Sequence, residues 1–292
     1  MNGEQAYAQT IQRVYPDLEV KTAYLNREGQ YNDVLVVNGA LIFRFAKVPA
    51  ALQTLRRETA ILGSIREHIT LEIPNPVYHN LQTSTIGEAF VGYPMIAGKP
   101  LWRDLFQTID DPEVLETVSC QLATFLRELH AIPVDEVIPI DLPLGDGPDV
   151  WADMYRRIQE LLFVHMRPDA RTQVADHFES YLDDPHAYAF DPVLRHGDFG
   201  TGNLIYDPGA GRMAGVIDFG GAGLGDEATD MAGLLASFGE PFLARCARYY
   251  PQIETASERI RFYYGTFALQ EALFGIENGD EDAVASGMEP FV

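Results

Sequence analysis

The 292-residue sequence is long enough for two lobes with their own cores, and its 47% hydrophobic and 22% charged residues exclude a disordered chain. Acidic residues outnumber basic ones by 43 to 21, a formal net charge of -22 that repels nucleic acid and anionic lipid and favours cationic partners. Two cysteines, Cys120 and Cys246, cannot make a disulfide framework and point to a reducing compartment. No basic leader followed by an apolar stretch opens the chain, and no apolar run reaches spanning length. A cytoplasmic protein with neither a nucleic-acid nor a membrane partner is expected.

The first hundred residues read as strands with one helix. Asp33–Val37 and Leu41–Ala46 are apolar runs separated by Asn38-Gly39, the strongest short hairpin signal. From Ala50 to Glu67, Leu52, Leu55, Thr59 and Leu62 recur at helical spacing, and Ile73-Pro-Asn-Pro76 breaks the pattern. Ala89–Tyr93 resumes as a strand, and Ile96–Pro100 reads as a linker. Beyond it the texture turns helical. Asp110-Asp-Pro-Glu113 is a helix start with an Asx cap and a proline in the first turn, leading into a face of Leu115, Val118, Leu122, Phe125, Leu126 and Leu129. Further helices are predicted over Asp149–His165, Pro168–Leu182 and Glu254–Gly275, with a strand-and-loop segment, Val193–Phe219, between them. The class is α+β, with a sheet-rich first lobe over 1–97 and a helical second lobe over 98–292.

That embedded segment carries the chemistry. His196-Gly-Asp-Phe-Gly-Thr-Gly-Asn203 leads into a short strand, Leu204–Tyr206, then a turn at Asp207–Gly211. A second strand, Ala214–Ile217, ends in Asp218-Phe-Gly220. The hairpin brings Asn203 and Asp218 to neighbouring strand ends, and two oxygen ligands suit Mg2+, which binds through one or two protein groups plus phosphates and water. Asp198, ahead of them on the loop, is positioned to accept the proton of an attacking hydroxyl. Each motif alone is also a plain turn. In order, with strands between, they are the parts that phosphoryl transfer needs.

The two motifs resemble the catalytic and metal-binding loops of the aminoglycoside phosphotransferase family, which has a two-lobed protein-kinase-like fold. The resemblance takes in Phe90–Leu101 as the linker between lobes, Leu129-His-Ala-Ile-Pro133 as the end of the first large helix, and Gly215–Gly220 with Gly225–Asp230. Ala272–Gly279 is similar to a late segment of the aminoglycoside 2″-phosphotransferase branch, beside which the macrolide kinases stand. The resemblance implies that Asp198 is the catalytic aspartate that orients the substrate hydroxyl and that Asn203 and Asp218 are the metal ligands. It further implies that Asp230 and His196 support the loop. It implies nucleotide contacts from the carbonyl of Pro94 and the amide of Ile96, with Tyr93 narrowing the base pocket, and from Gly29 in a covering loop, Glu28–Asp33, that has a single glycine. The family's strand lysine falls on Arg44 and its helix glutamate on Glu58; Lys47 is the alternative cation.

The implied activity is transfer of the γ-phosphoryl group of ATP or GTP to a hydroxyl of an aminoglycoside antibiotic, with Mg2+ as cofactor. Resistance to that antibiotic is the implied role, and a monomer is expected. The polycationic acceptor suits the chain's charge, and Glu240, Glu271, Glu277, Asp280 and Glu281 are candidate carboxylates, with Phe267 and Tyr264 as stacking rings. Met231–Phe238 is apolar where the 2″ branch tends to be acidic, so it is either helix core or the lining of a pocket for a less polar substrate. A macrolide or metabolite kinase is the alternative within the enzyme class. A non-catalytic nucleotide-binding module, prompted by Arg44, is the alternative outside it.

Overall fold

A computed structural model describes residues 3–26, 31–133, 142 and 144–292. The chain forms two compact units. The first is drawn from Met1–Gln121, Ile132–Asp141 and Thr201–Ala222; the second from Leu122–Ala131, Leu142–Gly200 and Gly223–Val292.

The first unit is built on an antiparallel sheet of β1 (Ala23–Asn26), β2 (Asn32–Val37), β3 (Leu41–Ala46), β4 (Tyr78–His79) and β5 (Phe90–Pro94), in the order β1-β2-β3-β5-β4. The β2–β3 turn forms as expected. Asn38 and Gly39 both have positive φ, 54° and 65°, which matches the twist of the flanking strands. Asn38 pins the turn: its Oδ1 accepts from the amides of Lys21 and Thr22, and its Nδ2 donates to the Glu19 carbonyl.

Helices cover both faces of this sheet, which is why β3 reads as a nearly continuous apolar run. Phe43 and Phe45 point to one face and pack with Leu35, Phe90 and Ile11 of α1 (Gly3–Val14). Ile42 and Ala46 point to the other and pack with Leu52 and Leu55 of α2 (Pro49–Ile65). The two-residue period therefore sends Arg44 toward α2. On α2 the expected apolar face is buried except at Thr59, which is half-buried with its hydroxyl donating to the Leu55 carbonyl. The polar residue that α2 does bury is its neighbour, Glu58.

The first unit runs past residue 97. It includes β6 (Lys99–Pro100), α3 (Arg103–Phe106) and the start of α4 (Pro112–His130), where the Asp111 carboxylate accepts the Glu113 amide at 2.8 Å. It also includes a three-stranded sheet in which β6 pairs with β8 (Leu204–Asp207) and β8 with β9 (Arg212–Val216).

The second unit is mostly helical. It holds the end of α4, α5 (Pro148–Leu161), α6 (Pro168–Leu182), α7 (Ala228–Phe238), α8 (Glu240–Ala247), α9 (Gln252–Thr255), α10 (Ser257–Asn278) and α11 (Glu281–Met288). Helix α10 packs against α7 and α11 and ends at Gly279, a left-handed cap with φ 70°. A short antiparallel ribbon, β7 (Val193–Arg195) with β10 (Gly223–Gly225), ends one residue before His196 and three residues before α7. That ribbon fixes where the His196 loop and the α7 carboxylate start. Among the described residues no helix is long and apolar enough to cross a membrane.

Candidate active site

The candidate residues fall into two sets, one within each unit. In the first, Arg44 Nη1 donates to Glu58 Oε1 at 2.7 Å, and Nη2 to Asp218 Oδ1 at 3.2 Å. The sheet face and the helix face chosen by the apolar pattern thus meet at a buried ion pair. Arg44 is 9% exposed and Glu58 3%. Burial works against the Arg44 charge, but Glu58, Tyr93 and Asp218 outweigh it and hold the guanidinium well above its ordinary value. Burial also pushes the neighbouring Tyr93 hydroxyl up to about 12. Glu58 Oε1 accepts the Phe219 amide as well, so the helix carboxylate clasps the residue after Asp218. Lys47 is engaged elsewhere, its Nζ 3.6 Å from Asp33.

Asp218 sits in left-handed backbone, φ 61° and ψ 73°, a conformation that short polar side chains tolerate by bonding locally; its Oδ1 accepts the Gly220 amide. Its side chain is 45% exposed. Its second oxygen, Oδ2, makes no hydrogen bond among the described residues. Asn203 closes a single 3₁₀ turn, Thr201–Asn203, just before β8, and its carbonyl accepts the Ile217 amide at 2.9 Å. The β8–β9 register therefore brings the Asn203 backbone beside the residue before Asp218. These are hard oxygen donors of the kind Mg2+ takes, one or two at a time alongside phosphates and water. Among the described residues no cluster of three His, Cys, Asp or Glu side chains forms an all-protein metal cage. Pro94 ends β5 opposite Leu41, and Ile96 lies two residues on with its side chain buried. Gly29 falls outside the described residues, as does half of the expected covering loop.

The second unit carries the His196–Gly200 loop. Asp230, in the first turn of α7 and 1% exposed, accepts the amides of His196 at 2.7 Å and Gly197 at 2.9 Å. The Nε2 of His130, at the end of α4, lies 3.0 Å from the same carboxylate. Burial raises the Asp230 carboxyl, but the hydrogen bond and charge of His130, with His196 and the Gly197 amide, prevail and hold it below its ordinary value. The His196 Nδ1 accepts the Asp198 amide at 3.3 Å, and Phe199 stacks on Phe125. The loop is thus held at its backbone and at both flanking side chains, while Asp198 itself is exposed.

A cavity of about 280 Å³ opens beside Asp198 within this unit. The apolar stretch at 231–238 serves both purposes raised by the sequence. Met231, Leu234 and Leu235 are core, and Gly233, Ala236 and Ser237 line the cavity. Gly233 permits the close approach of α7, because a Cβ there would lie 2.4 Å from the Phe199 carbonyl oxygen. Phe267 lines the cavity as well. Glu240 and Glu271 do not: both are exposed, and Glu240 lies 3.9 Å from Arg261. Glu277 pairs with Arg157, and Asp280 caps α11 through the Ala283 amide. Thr229, Gln270 and His130 are not among the site residues expected from the sequence. Only His130 gave a signal, as a polar residue four positions after Leu126 on an apolar face.

The family model described as "Phosphotransferase enzyme family" matches residues 24–263. The chain is 30% identical over 268 residues to viomycin phosphotransferase of Streptomyces vinaceus, across 90% of this chain and 91% of that one. It superposes on the GDP and kanamycin complex of an APH(2″) enzyme with a TM-score of 0.88 and 26% identity, covering 97% of this chain and 96% of the other. It superposes on a macrolide 2'-phosphotransferase of type I with a TM-score of 0.79 over 99% of this chain and 96% of that one; at 21% identity this likeness is one of fold. The fold is the protein-kinase-like α+β fold of these enzymes.

Proposed function

The chain belongs to the phosphotransferase enzyme family, and from that premise we propose that it transfers the γ-phosphoryl group of ATP or GTP to a hydroxyl of an aminoglycoside antibiotic. The observation that carries the reading is the array of Arg44, Glu58 and Asp218, with the Asn203 carbonyl bonded to the amide of Ile217, the residue before Asp218. It offers a fixed cation and hard oxygen donors for a nucleotide triphosphate. The acceptor oxygen bonds to the γ-phosphorus, the bond from that phosphorus to the bridging oxygen breaks, and a nucleoside diphosphate leaves. Asp198, on the loop held by Asp230, takes the hydroxyl proton.

Asn203 and Asp218 would hold Mg2+, which when bound neutralises charge on the phosphate oxygens. Asp218 suits the role because its Oδ2 is uncommitted among the described residues. Arg44 faces the phosphates in this reading, Pro94 and Ile96 the base, and Gly29 the covering loop. Residues 1–97 form the nucleotide-binding lobe in this reading, and 98–292 carry the catalytic loop, the metal ligands and the acceptor pocket. Phe267 stacks on the acceptor, and Glu240 and Glu271 attract its charge. The protein works in the cytoplasm as a monomer, without nucleic-acid or membrane partners.

A second acceptor, viomycin, is favoured by the likeness to viomycin phosphotransferase across nine-tenths of both chains. Purified protein with Mg2+, ATP or GTP, and a panel of kanamycin, gentamicin, streptomycin, viomycin and a macrolide tests the reading by mass of the product. A gain of one phosphoryl group on a panel member is expected. Nucleotide binding without any phosphorylated product would favour a non-catalytic module, and absence of nucleotide binding would end the kinase reading.

A further inference from the structure

Four side chains of the second unit form a chain of hydrogen bonds that ends on the His196–Gly200 loop. The Tyr250 hydroxyl, just after α8, donates to Glu227 Oε2 at 2.7 Å. His130 Nδ1 lies 3.1 Å from the same hydroxyl, and His130 Nε2 lies 3.0 Å from Asp230 Oδ2. Asp230 in turn accepts the amides of His196 and Gly197, the two residues before Asp198. His130 is 7% exposed and Tyr250 3%, so protein groups rather than bulk water settle where the protons sit.

A neutral imidazole would leave this chain of bonds one proton short. The contacts of Glu227 with Tyr250, Tyr250 with His130 and His130 with Asp230 each need a proton, and a phenol with a neutral ring supplies only two. Burial and Glu227 push the Tyr250 hydroxyl well above its ordinary value, so it keeps its proton and gives it to the carboxylate. The Tyr250 oxygen is then an acceptor toward Nδ1, as the Asp230 oxygen is toward Nε2. Asp230 is a poor source of the missing proton, because amides on both of its oxygens favour the ionised form. The burial of Asp230 points the same way. At 1% exposure its carboxylate needs a nearby cation. His196 is not that cation, since its Nδ1 accepts the Asp198 amide. Among the described residues the ion-pair partner of Asp230 is His130, and no Lys or Arg shares it.

We propose that His130 is an imidazolium, with Glu227 setting its charge through Tyr250, and that this charge makes it a positioning residue for Asp198. The charge strengthens the bond from Nε2 to Asp230, and Asp230 grips two consecutive amides of the loop. His130 does not line the cavity beside Asp198, so it governs kcat and not KM. This kinetic consequence rests on the phosphotransferase reading; the charge itself does not.

Histidine-selective 15N labelling of the unliganded full chain reads the ring at pH 7, with the His130→Gln spectrum assigning its signals. Two protonated ring nitrogens are expected. One protonated and one bare nitrogen would overturn the proposal and place the third proton on Glu227. Glu227→Gln is isosteric, and its amide can donate to the Tyr250 oxygen, which turns the Tyr250 proton toward Nδ1. The ring should become neutral in this variant, and also in Tyr250→Phe, which removes the Nδ1 acceptor. For a compound that wild type phosphorylates, kcat should fall about three- to tenfold in both variants, the step from a charge-assisted to a neutral hydrogen bond. The KM values for acceptor and nucleotide should stay level, which a general disturbance of the fold would not allow. A ring that stays charged in both variants, a kcat unmoved by a neutral ring, or an equal change in KM overturns the proposal. If nothing on the panel is phosphorylated, the kinase reading fails separately, and hydrogen exchange at the His196 and Gly197 amides decides the hold on the loop. Faster exchange in Glu227→Gln supports it; equal rates refute it.

Discussion

Replacing Arg44 tests the array most directly, because its three possible outcomes have separate magnitudes. Arg44→Ala leaves Glu58, 3% exposed, without its cation, and Glu58 Oε2 already lacks a partner. Removing one member of a buried pair costs about 3–5 kcal/mol. The contact to Asp218 adds little, since that side chain is 45% exposed and such pairs contribute about 1 kcal/mol or less. Arg44→Lys keeps the charge, but one nitrogen must serve where Nη1 and Nη2 serve separately. Lysine should retain the buried Glu58 contact, give up Asp218, and cost about 1 kcal/mol. Arg44→Met with Glu58→Leu removes both charges and should return to within about 1–2 kcal/mol of wild type. Urea denaturation followed by circular dichroism reads all three, and nucleotide affinity should fall in every variant. The reasoning is refuted if Arg44→Ala lies within about 1 kcal/mol of wild type, or if the double variant is no more stable than Arg44→Ala.

Asp198→Asn should lower kcat by about a thousandfold, with nucleotide affinity unchanged by equilibrium titration; retained turnover would remove Asp198 from its role. Asp230 is held below the ordinary carboxylate value, so its contribution is fully present above the unfolded pKa of about 3.9 and is lost as pH falls through the lower folded value. The thermal midpoint should therefore drop steeply below about pH 4, and Asp230→Asn should flatten that acid limb while lowering the midpoint at pH 7. If amines of the acceptor are drawn by the net charge of -22, its KM should rise as salt is raised from low to physiological strength; a KM indifferent to salt would contradict this.

The parts legible in the sequence are those fixed by local chemistry. Asn38-Gly39 had to be a turn because both residues tolerate positive φ, and the strand period placed Arg44 on one face whatever lay opposite. The order of Asp198, Asn203 and Asp218 around two short strands implied a hairpin, and the backbone bond from Ile217 to Asn203 is what that hairpin makes. What stayed hidden depends on distant partners. Apolar spacing alone chose Thr59 for the buried face of α2; Glu58, marked by the family resemblance and not by spacing, is the buried residue because Arg44, fourteen positions away, compensates its charge. Glu271 looked like a pocket carboxylate by region. It follows Gln270 by one position, about 100° round the helix, and that rotation separates cavity from solvent. Thr229 and Gln270, 41 residues apart, gave no joint signal, because only the packing of α10 against α7 makes them neighbours.

The charge of this protein and the character of its cavity point in different directions, and physical scale reconciles them. Charge summed over a surface acts across a Debye length, about 8 Å at physiological salt, and so raises the encounter rate of any cation without regard to its shape. Such attraction cannot choose one hydroxyl among several on the same molecule. Choice requires groups at hydrogen-bond distance whose cost, if left unpaired, falls on the wrong substrate. Ser237 and Gln270, which line the cavity beside Asp198, are neutral groups able to form such bonds. A carboxylate at the same place would bind amines more tightly but would also compete with the proton transfer at Asp198. With Glu240 and Glu271 outside the cavity, attraction and selection would act on different parts of one acceptor under the proposed function.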